Sequence, residues 1–519
     1  MTYLAIIFGV TTLAYLVAAR LRIPRIPVMM ISGLALGSLL TGDQRLELRD
    51  HLDLSLTFLL FGAGAELTPA RLKSRNQAVI WVGIFQFGIV ILGGFLLAAA
   101  LGFNYRESIV LGLGLSASST LAVLQFLKQR QQITEPFGRL VVGVLLLQDL
   151  IFLTLMAGLT RWNEGWSGVL LGTGLFVLMG GGAMLFRQLV VPVFVTRYSE
   201  DEEVLVLGAL GVCFGFVGLA VFFGLPAVLG AFLAGFSLAI FPAAGIFRGV
   251  LTSFFDFFTG LFFVSLGATL LISGYEVLWQ GFVLSMVVWV FTPFMVFVVS
   301  RVVGRSWRGA LSSGFYLAQT SELSLVLGLM SLRSGIVDDD IMNLLTVITI
   351  ITTLATPLLT SQRWIDFTLH LLSRFDRNDH RVDWEMDGHV LILGFGDGGP
   401  HLLKPIQDSG YRVLVIEDDG QSVDQLRKLG VDCFFGDAGD PHLLKKAGIT
   451  HASFVIISMR RFDDIREVLK YAGKVPVFVR VLEDFEARQV RALGGIPVSG
   501  AEAAVEALEK WVSRANLSA

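Results

Sequence analysis

Charge is what this chain has least of. Only 16% of its 519 residues are Asp, Glu, Lys or Arg, against about a quarter in an ordinary soluble protein. A water-soluble fold over most of the length is thereby excluded. Cysteine is almost missing. Cys213 stands in a membrane stretch and Cys433 in the soluble tail, so they are not expected to pair and no disulfide framework is inferred. Forty basic residues against 43 acidic ones leave a formal net charge of -3, which gives no footing for nucleic acid. No Thr-Val-Gly-Tyr-Gly filter occurs, which argues against a potassium channel of that kind. The N-terminus has neither a basic n-region nor a small-residue cleavage site, so the first apolar run is expected to be a retained helix.

What is present is apolar: 54% of the residues are hydrophobic. Thirteen apolar segments are read, over approximately 2–20, 26–41, 53–65, 78–102, 106–127, 140–160, 167–195, 203–222, 225–243, 250–273, 278–300, 308–332 and 341–361. Most approach the ~20 residues that an α-helix needs to cross a bilayer. Basic residues fall in alternate connections: Arg20, Arg22 and Arg25; Arg71, Lys73 and Arg75; Lys128, Arg130 and Arg139; Arg197; Arg248; Arg301, Arg305 and Arg308. Excess Lys and Arg mark cytoplasmic loops. The expected location is the cell membrane, multi-pass, with the N-terminus outside and the C-terminal part cytoplasmic.

Composition divides the chain into a membrane domain over 1–361, a charged linker over 362–387 and a soluble domain over 388–519. In the last, strand-like runs (His389–Leu393, Arg412–Ile416, Asp432–Phe435, Ser453–Ile457, Val475–Val479) alternate with amphipathic helical stretches. That alternation predicts a parallel sheet in a Rossmann-like α/β domain. The expected fold class is an all-α polytopic membrane domain of about 13 helices followed by this α/β domain.

The polar residues inside the apolar segments carry the chemistry. Asp149 is a lone acid in Gly143-Val-Leu-Leu-Leu-Gln-Asp149-Leu-Ile-Phe-Leu-Thr-Leu-Met156. A charge at membrane depth costs at least a few kcal/mol, so such acids mark ion and proton pathways. One carboxylate can hold a proton or a small cation, and competition between them couples the two fluxes. With a single titrating acid, one proton exchanged for one monovalent cation moves no net charge. Gln148 can offer an amide oxygen without adding charge. No lysine stands in the tenth segment to pair with Asp149.

Two runs of small and hydroxylated residues, Gly112-Leu-Gly-Leu-Ser116-Ala-Ser118-Ser119-Thr120 and Gln319-Thr320-Ser321-Glu322-Leu-Ser324, interrupt the fifth and twelfth segments. Helices broken at corresponding places in two halves point to inverted repeats that cross at a binding site. Ser118, Ser119 and Thr120 are candidate site residues, and Glu322 is a candidate pathway residue. Glu66 stands at a helix end and is read as structural. Asp256, among four phenylalanines, receives no role.

In the soluble domain, Gly394-Phe-Gly396-Asp-Gly-Gly399 follows a strand and opens a helix, the pattern that aims backbone amides at a phosphate. Glu417 ends the next strand, where an acid accepts from a ribose hydroxyl. Asp437, in Gly436-Asp-Ala438, follows the third strand, where a base or ribose can lie.

These residues resemble a known family. Ser118-Ser119-Thr120, Leu147-Gln148-Asp149, Leu229-Gly-Ala-Phe-Leu-Ala-Gly235, Gly260-Leu-Phe-Phe-Val-Ser-Leu-Gly267 and Gly394-Phe-Gly396 are similar to motifs of Kef-type monovalent cation:proton antiporters with a regulatory domain of the TrkA-N kind. The resemblance covers nearly the whole chain. It implies a secondary antiporter, not an enzyme, exchanging a monovalent cation for H+ at Asp149. The Gln-Asp pair favours K+ over Na+. It also implies an adenine nucleotide (AMP, ATP or NAD(H)) as regulatory ligand, Arg480 in the ligand-facing region, and a homodimer in membrane lipid. The glutathione-gated members carry an acidic, His-initiated loop after the ninth segment. Here that place reads Phe241-Pro-Ala-Ala-Gly-Ile-Phe-Arg248, so glutathione gating is not carried over. The alternatives weighed are a ligand-gated potassium channel and a membrane-anchored NAD-dependent oxidoreductase.

Overall fold

The computed structural model describes residues 2–21, 23–66, 77–130, 132–133, 135–198, 201–239, 244–270, 274–305, 307–373, 387–395, 399–418, 420–459, 462–481 and 484–499. Half of the charged linker, 374–386, therefore lies outside the described residues. The chain forms two compact units. The first comprises Met1–Gln125, Leu140–Val299 and Ser313–Ser361; the second comprises Phe126–Arg139, Ser300–Ser312 and Gln362–Ala519.

The apolar segments are helices: α1 (Thr2–Leu21), α2 (Arg25–Gly37), α3 (Gly42–Glu66), α4 (Gln77–Ala100), α5 (Tyr105–Ser116), α6 (Thr120–Gln129), α7 (Pro136–Leu159), α8 (Gly165–Leu189), α9 (Val191–Tyr198), α10 (Glu202–Phe222), α11 (Ala227–Leu238), α12 (Ala244–Thr269), α13 (Tyr275–Val302), α14 (Trp307–Leu317), α15 (Glu322–Arg333) and α16 (Asp339–Leu359). Among the described residues, eight helical stretches are long and apolar enough to cross a membrane, and four shorter apolar helices accompany them. Large apolar side chains stand on their outer faces, such as Leu13, Leu178, Phe222 and Phe294. Such a surface fits acyl chains and not water. The protein is a multi-pass membrane protein. The third segment is longer than its apolar core at 53–65, because the polar stretch from Gly42 is helical too.

Local chemistry sets the helix ends. Asn104 and Glu107 form a reciprocal capping box at the start of α5, with Glu107 N–H donating to Asn104 Oδ1 at 3.0 Å and Asn104 N–H to Glu107 Oε2 at 2.9 Å. Gly224 takes φ +68° and Pro226 precedes α11, which separates α10 from α11.

Glycine decides how part of the first unit packs. At the α2–α12 crossing, a Cβ on Gly33 would lie 2.2 Å from the Val264 carbonyl oxygen, and one on Gly267 2.2 Å from that of Met30. At the α3–α11 crossing, Gly64 and Gly235 stand in the same reciprocal relation to Phe232 and Phe61, each at 2.0 Å. Through these contacts α1, α2, α3, α10, α11 and α12 form one continuous set. The α4–α5 pair and the α5–α15–α16 group form another, which meets the first where α16 packs on α2, and α7 packs on α4 through Gly83 against Leu147 and Gly143 against Val79.

In the second unit, α17 (Gln362–Ser373) precedes a six-stranded, all-parallel sheet. Its strands are β1 (Val390–Leu393), β2 (Val413–Glu417), β3 (Asp432–Phe435), β4 (Phe454–Ile457), β5 (Val477–Val481) and β6 (Ile496–Ser499), in the order β3-β2-β1-β4-β5-β6. The helices α18 (Gly399–Asp408), α19 (Gly420–Lys428), α20 (Pro441–Lys446), α21 (Phe462–Ala472) and α22 (Asp484–Ala492) connect them. β1 and β2 are buried along their whole length, as strands covered by helices on both faces must be. β5 starts two residues later than expected, since Pro476 has no N–H to give and offers only its carbonyl, to Val455. β6 was not anticipated.

Candidate functional site

Both expected interruptions are present. α5 stops at Ser116, Ala117 is extended at φ -86° and ψ 137°, and α6 starts at Thr120. α14 stops at Leu317, Ser321 is extended at φ -90° and ψ 155°, and α15 starts at Glu322. The sequence explains the breaks. Serine and threonine hydroxyls satisfy the backbone groups that a broken helix frees, which at membrane depth must find partners inside the protein.

Those partners join the breaks to one another. Ser118 Oγ donates to the Leu317 carbonyl at 2.7 Å, and Ser324 Oγ donates to that of Gly114. Ser119 Oγ accepts from Ala122 N–H at 3.2 Å and caps α6. Thr320 N–H donates to Thr352 Oγ1 at 3.2 Å, and Thr356 Oγ1 donates to Gln319 Oε1 at 2.9 Å.

Asp149, on α7, meets the first break directly. Thr120 Oγ1 donates to Asp149 Oδ2 at 2.8 Å, and the carboxyl is buried. Asp149 Oδ1 is buried with no hydrogen-bond partner among the described residues. Glu322 is buried as well, with the Ser119 and Ser321 hydroxyls and the Leu121 amide as neighbours, and its Oε2 also lacks a hydrogen-bond partner among the described residues. Glu322 and then Glu66 are the carboxylates whose charge reaches Asp149. Glu322, expected on the pathway, thus acts electrostatically on Asp149. Each break has a helix N-terminus beside a carboxylate: Thr120 opens α6 and holds Asp149, and Glu322 is the first residue of α15. The partial positive charge of a helix N-terminus favours a negative group there.

Gln148 is placed differently from the expectation. Adjacent residues of a helix do not face each other, and Gln148 turns away from Asp149 toward the break. Its Oε1 accepts from Ser118 N–H at 3.4 Å, and its Nε2 donates to Gln86 Oε1. Gln86, on α4, donates in turn to the Ser116 carbonyl at 3.4 Å. Two buried amides therefore bridge an acceptor and a donor on either side of the gap. Gln86, a lone amide in Ile84-Phe85-Gln86-Phe87, carries the same sequence signal as Asp149. Asp256, left without a role, accepts from Tyr15 Oη at 3.5 Å, and Arg25 donates to Tyr15.

In the Rossmann-like domain, β1 ends at the point where strand order reverses between β1 and β4, where doubly wound sheets bind their ligands. Gly394 takes φ +80°, which an L side chain rarely adopts, and a Cβ on Gly399 would lie 2.3 Å from the Phe395 ring. Gly396 lies outside the described residues. Glu417 carboxylate oxygens accept from the amides of Phe395 and Asp418, so the acid ties the end of β2 to the glycine-rich turn. Asp437 Oδ1 accepts from Gly439 N–H at 3.0 Å, and its Oδ2 lies 3.2 Å from Arg308 Nε. Gly394, Gly399, Glu417 and Asp437 stand together at the ends of β1, β2 and β3. Arg480 is exposed on β5, two strands from β1 on the other side of the sheet, and is not brought to them.

Two family models match the chain. Residues 7–361 match the model described as sodium/hydrogen exchanger, transmembrane, and residues 390–498 match the TrkA-N domain. Solved structures similar to the C-terminal part include the TrkA-N domain of inner membrane protein ybaL from Escherichia coli. It is 22% identical, covers 25% of this chain and 98% of that one, and has a TM-score of 0.23. A second is the NAD(P)-binding domain of an exopolyphosphatase-related protein from Archaeoglobus fulgidus, 19% identical, covering 24% and 98%, with a TM-score of 0.23.

Proposed function

The chain belongs to the sodium/hydrogen exchanger family, and from that premise we propose an antiporter that exchanges K+, or Na+ in second place, for H+ under nucleotide control. Cation:proton antiport follows from the family. The choice of cation and the control by nucleotide are the proposal.

One observation carries it: Asp149 is a buried acid at the junction of two broken helices, with one oxygen held by Thr120 and the other without a hydrogen-bond partner among the described residues. Proton and cation compete for that carboxylate. Thr120 fixes its rotamer, Ser118 and Ser119 shape the gap, and Gln148 holds the gap open from behind. Glu322 lines the pathway beside Ser119. The Gln148-Asp149 pair supports K+.

The C-terminal domain is proposed to bind AMP, ATP or NAD(H). Gly394, Gly396 and Gly399 would cradle phosphate, while Glu417 and Asp437 would accept from ribose or base. The proposed boundaries are 1–361 for transport, 362–387 for the linker and 388–519 for regulation, with a homodimer as the working form. Alternation of basic loops supports an external N-terminus and a cytoplasmic regulatory domain.

Everted membrane vesicles loaded with a pH dye test this. Added K+ should move protons in the wild type, and Asp149→Asn should abolish the signal. Cation-driven proton movement that survives Asp149→Asn would refute the assignment. The same vesicles given each alkali cation, with and without nucleotide, report selectivity and control.

A further inference from the structure

Arg308 is the second residue of α14, at the opposite end of that helix from the break at Leu317, and it belongs to the same compact unit as the Rossmann-like domain. Its Nε lies 3.2 Å from Asp437 Oδ2, and its Nη2 lies 2.6 Å from Asp366 Oδ1 on α17. One guanidinium therefore joins α14, α17 and the acid that follows β3. The two ion pairs are unequal. Side-chain exposure is 18% for Arg308 and 11% for Asp437, but 52% for Asp366. Water screens an exposed pair far more than a secluded one, so the Asp437 pair dominates.

Asp437 has little to spare for a newcomer. Its Oδ1 is engaged by the Gly439 amide. Oδ2 is where a ribose hydroxyl or an adenine amino group would have to donate, and Arg308 already faces it. We infer that Arg308 is a residue of the nucleotide site, competing with the nucleotide for Asp437 and carrying the outcome into α14. The inference rests on the nucleotide control proposed above and names its route.

α14 is well suited to carry it. From Arg308 to Leu317 the chain is helical, a span of about 14 Å at 1.5 Å per residue. At its far end the Leu317 carbonyl accepts from Ser118, two residues before the threonine that holds Asp149. A change of partner at Arg308 therefore acts on the helix whose last carbonyl helps to close the first break. Each site is then biased by the other, since coupling between two binding equilibria is reciprocal.

The experiment uses the full chain in proteoliposomes, with AMP, ATP, NAD+ and NADH as probes. Nucleotide affinity and the ratio of transport with and without nucleotide are measured for wild type, Arg308→Gln and Arg308→Lys. Arg308→Gln should bind the effective nucleotide more tightly, on the order of fivefold or more, the lower end of ordinary coupling strengths. Its transport ratio should fall to one. Arg308→Lys retains a cation and should keep part of the wild-type response, which separates loss of the ion pair from misfolding. Weaker binding in Arg308→Gln would make Arg308 a phosphate ligand and overturn the competition. A full nucleotide response in Arg308→Gln would overturn the route alone. A wild type whose transport ignores all four nucleotides would sink nucleotide control, and the route with it.

Discussion

Thr120 Oγ1 reaches across from the first broken helix to donate to Asp149 Oδ2 at 2.8 Å, and this contact makes an acid on one helix part of a gap in another. A hydrogen bond to a charged group contributes about 1.5–3 kcal/mol. Thr120→Val keeps the shape and removes the donor. The half-saturating cation concentration in vesicle transport should rise by about tenfold, the equivalent of 1.4 kcal/mol. Thr120→Ser should stay near the wild type. An unchanged half-saturation in Thr120→Val would show that the hydroxyl does not support the charged carboxylate.

Gln86 gives a second prediction. Gln86→Leu removes a donor to the Ser116 carbonyl and an acceptor for Gln148 Nε2, both buried. Leaving a buried polar group unsatisfied costs about 1–3 kcal/mol. The purified variant should unfold at a lower temperature, and transport should fall with it. In a double-mutant cycle with Gln148→Leu, the losses should not add, with a coupling of about 0.5–3 kcal/mol. Strict additivity would mean that the two amides act separately.

The glycine crossings give a third. Gly235→Ala would drive a methyl group against the Phe61 carbonyl, and Gly64→Ala would do the same against Phe232. Backbone cannot yield as a flexible side chain does, so each change should cost about 1–3 kcal/mol in thermal stability, as overpacking does. Gly174→Ala, where a Cβ meets nothing within 4 Å, is the control and should be silent. Equal melting temperatures for all three would contradict the close contact.

Much of this was legible in the residues because a membrane interior makes polar groups conspicuous. Asp149, the Ser118–Thr120 run and the Gln319–Ser324 run stood out for that reason, and the structure places the two runs against each other. Gln86 had the same visibility but no motif around it. The direction of the Gln148 amide could not be read, because it follows from the rotation of α7 and not from sequence adjacency to Asp149. β6 went unread because Ile496-Pro-Val-Ser499 is short and contains a proline, a pattern that sheets accept at their edge. The Arg308–Asp437 pair joins residues far apart in the chain, and spacing says nothing about such a meeting. Arg480 was named from resemblance alone, and the sheet order puts it on β5, two strands from the glycine-rich turn's strand.

The glycine-to-carbonyl crossings among α2, α3, α11 and α12 bring those helices together backbone to backbone. Every side chain assigned to ion handling comes from elsewhere: Gln86 from α4, Ser118 and Ser119 from the gap before α6, Thr120 from α6, Gln148 and Asp149 from α7, and Glu322 from α15. The tightest crossings and the side chains assigned to ion handling thus lie on different helices, and the two groups meet where α16 packs on α2. If the carboxylate is to face one compartment and then the other, its whole retinue must travel as a block while the glycine-locked scaffold stays put. A disulfide engineered between the two sets would arrest turnover without touching a single ligand.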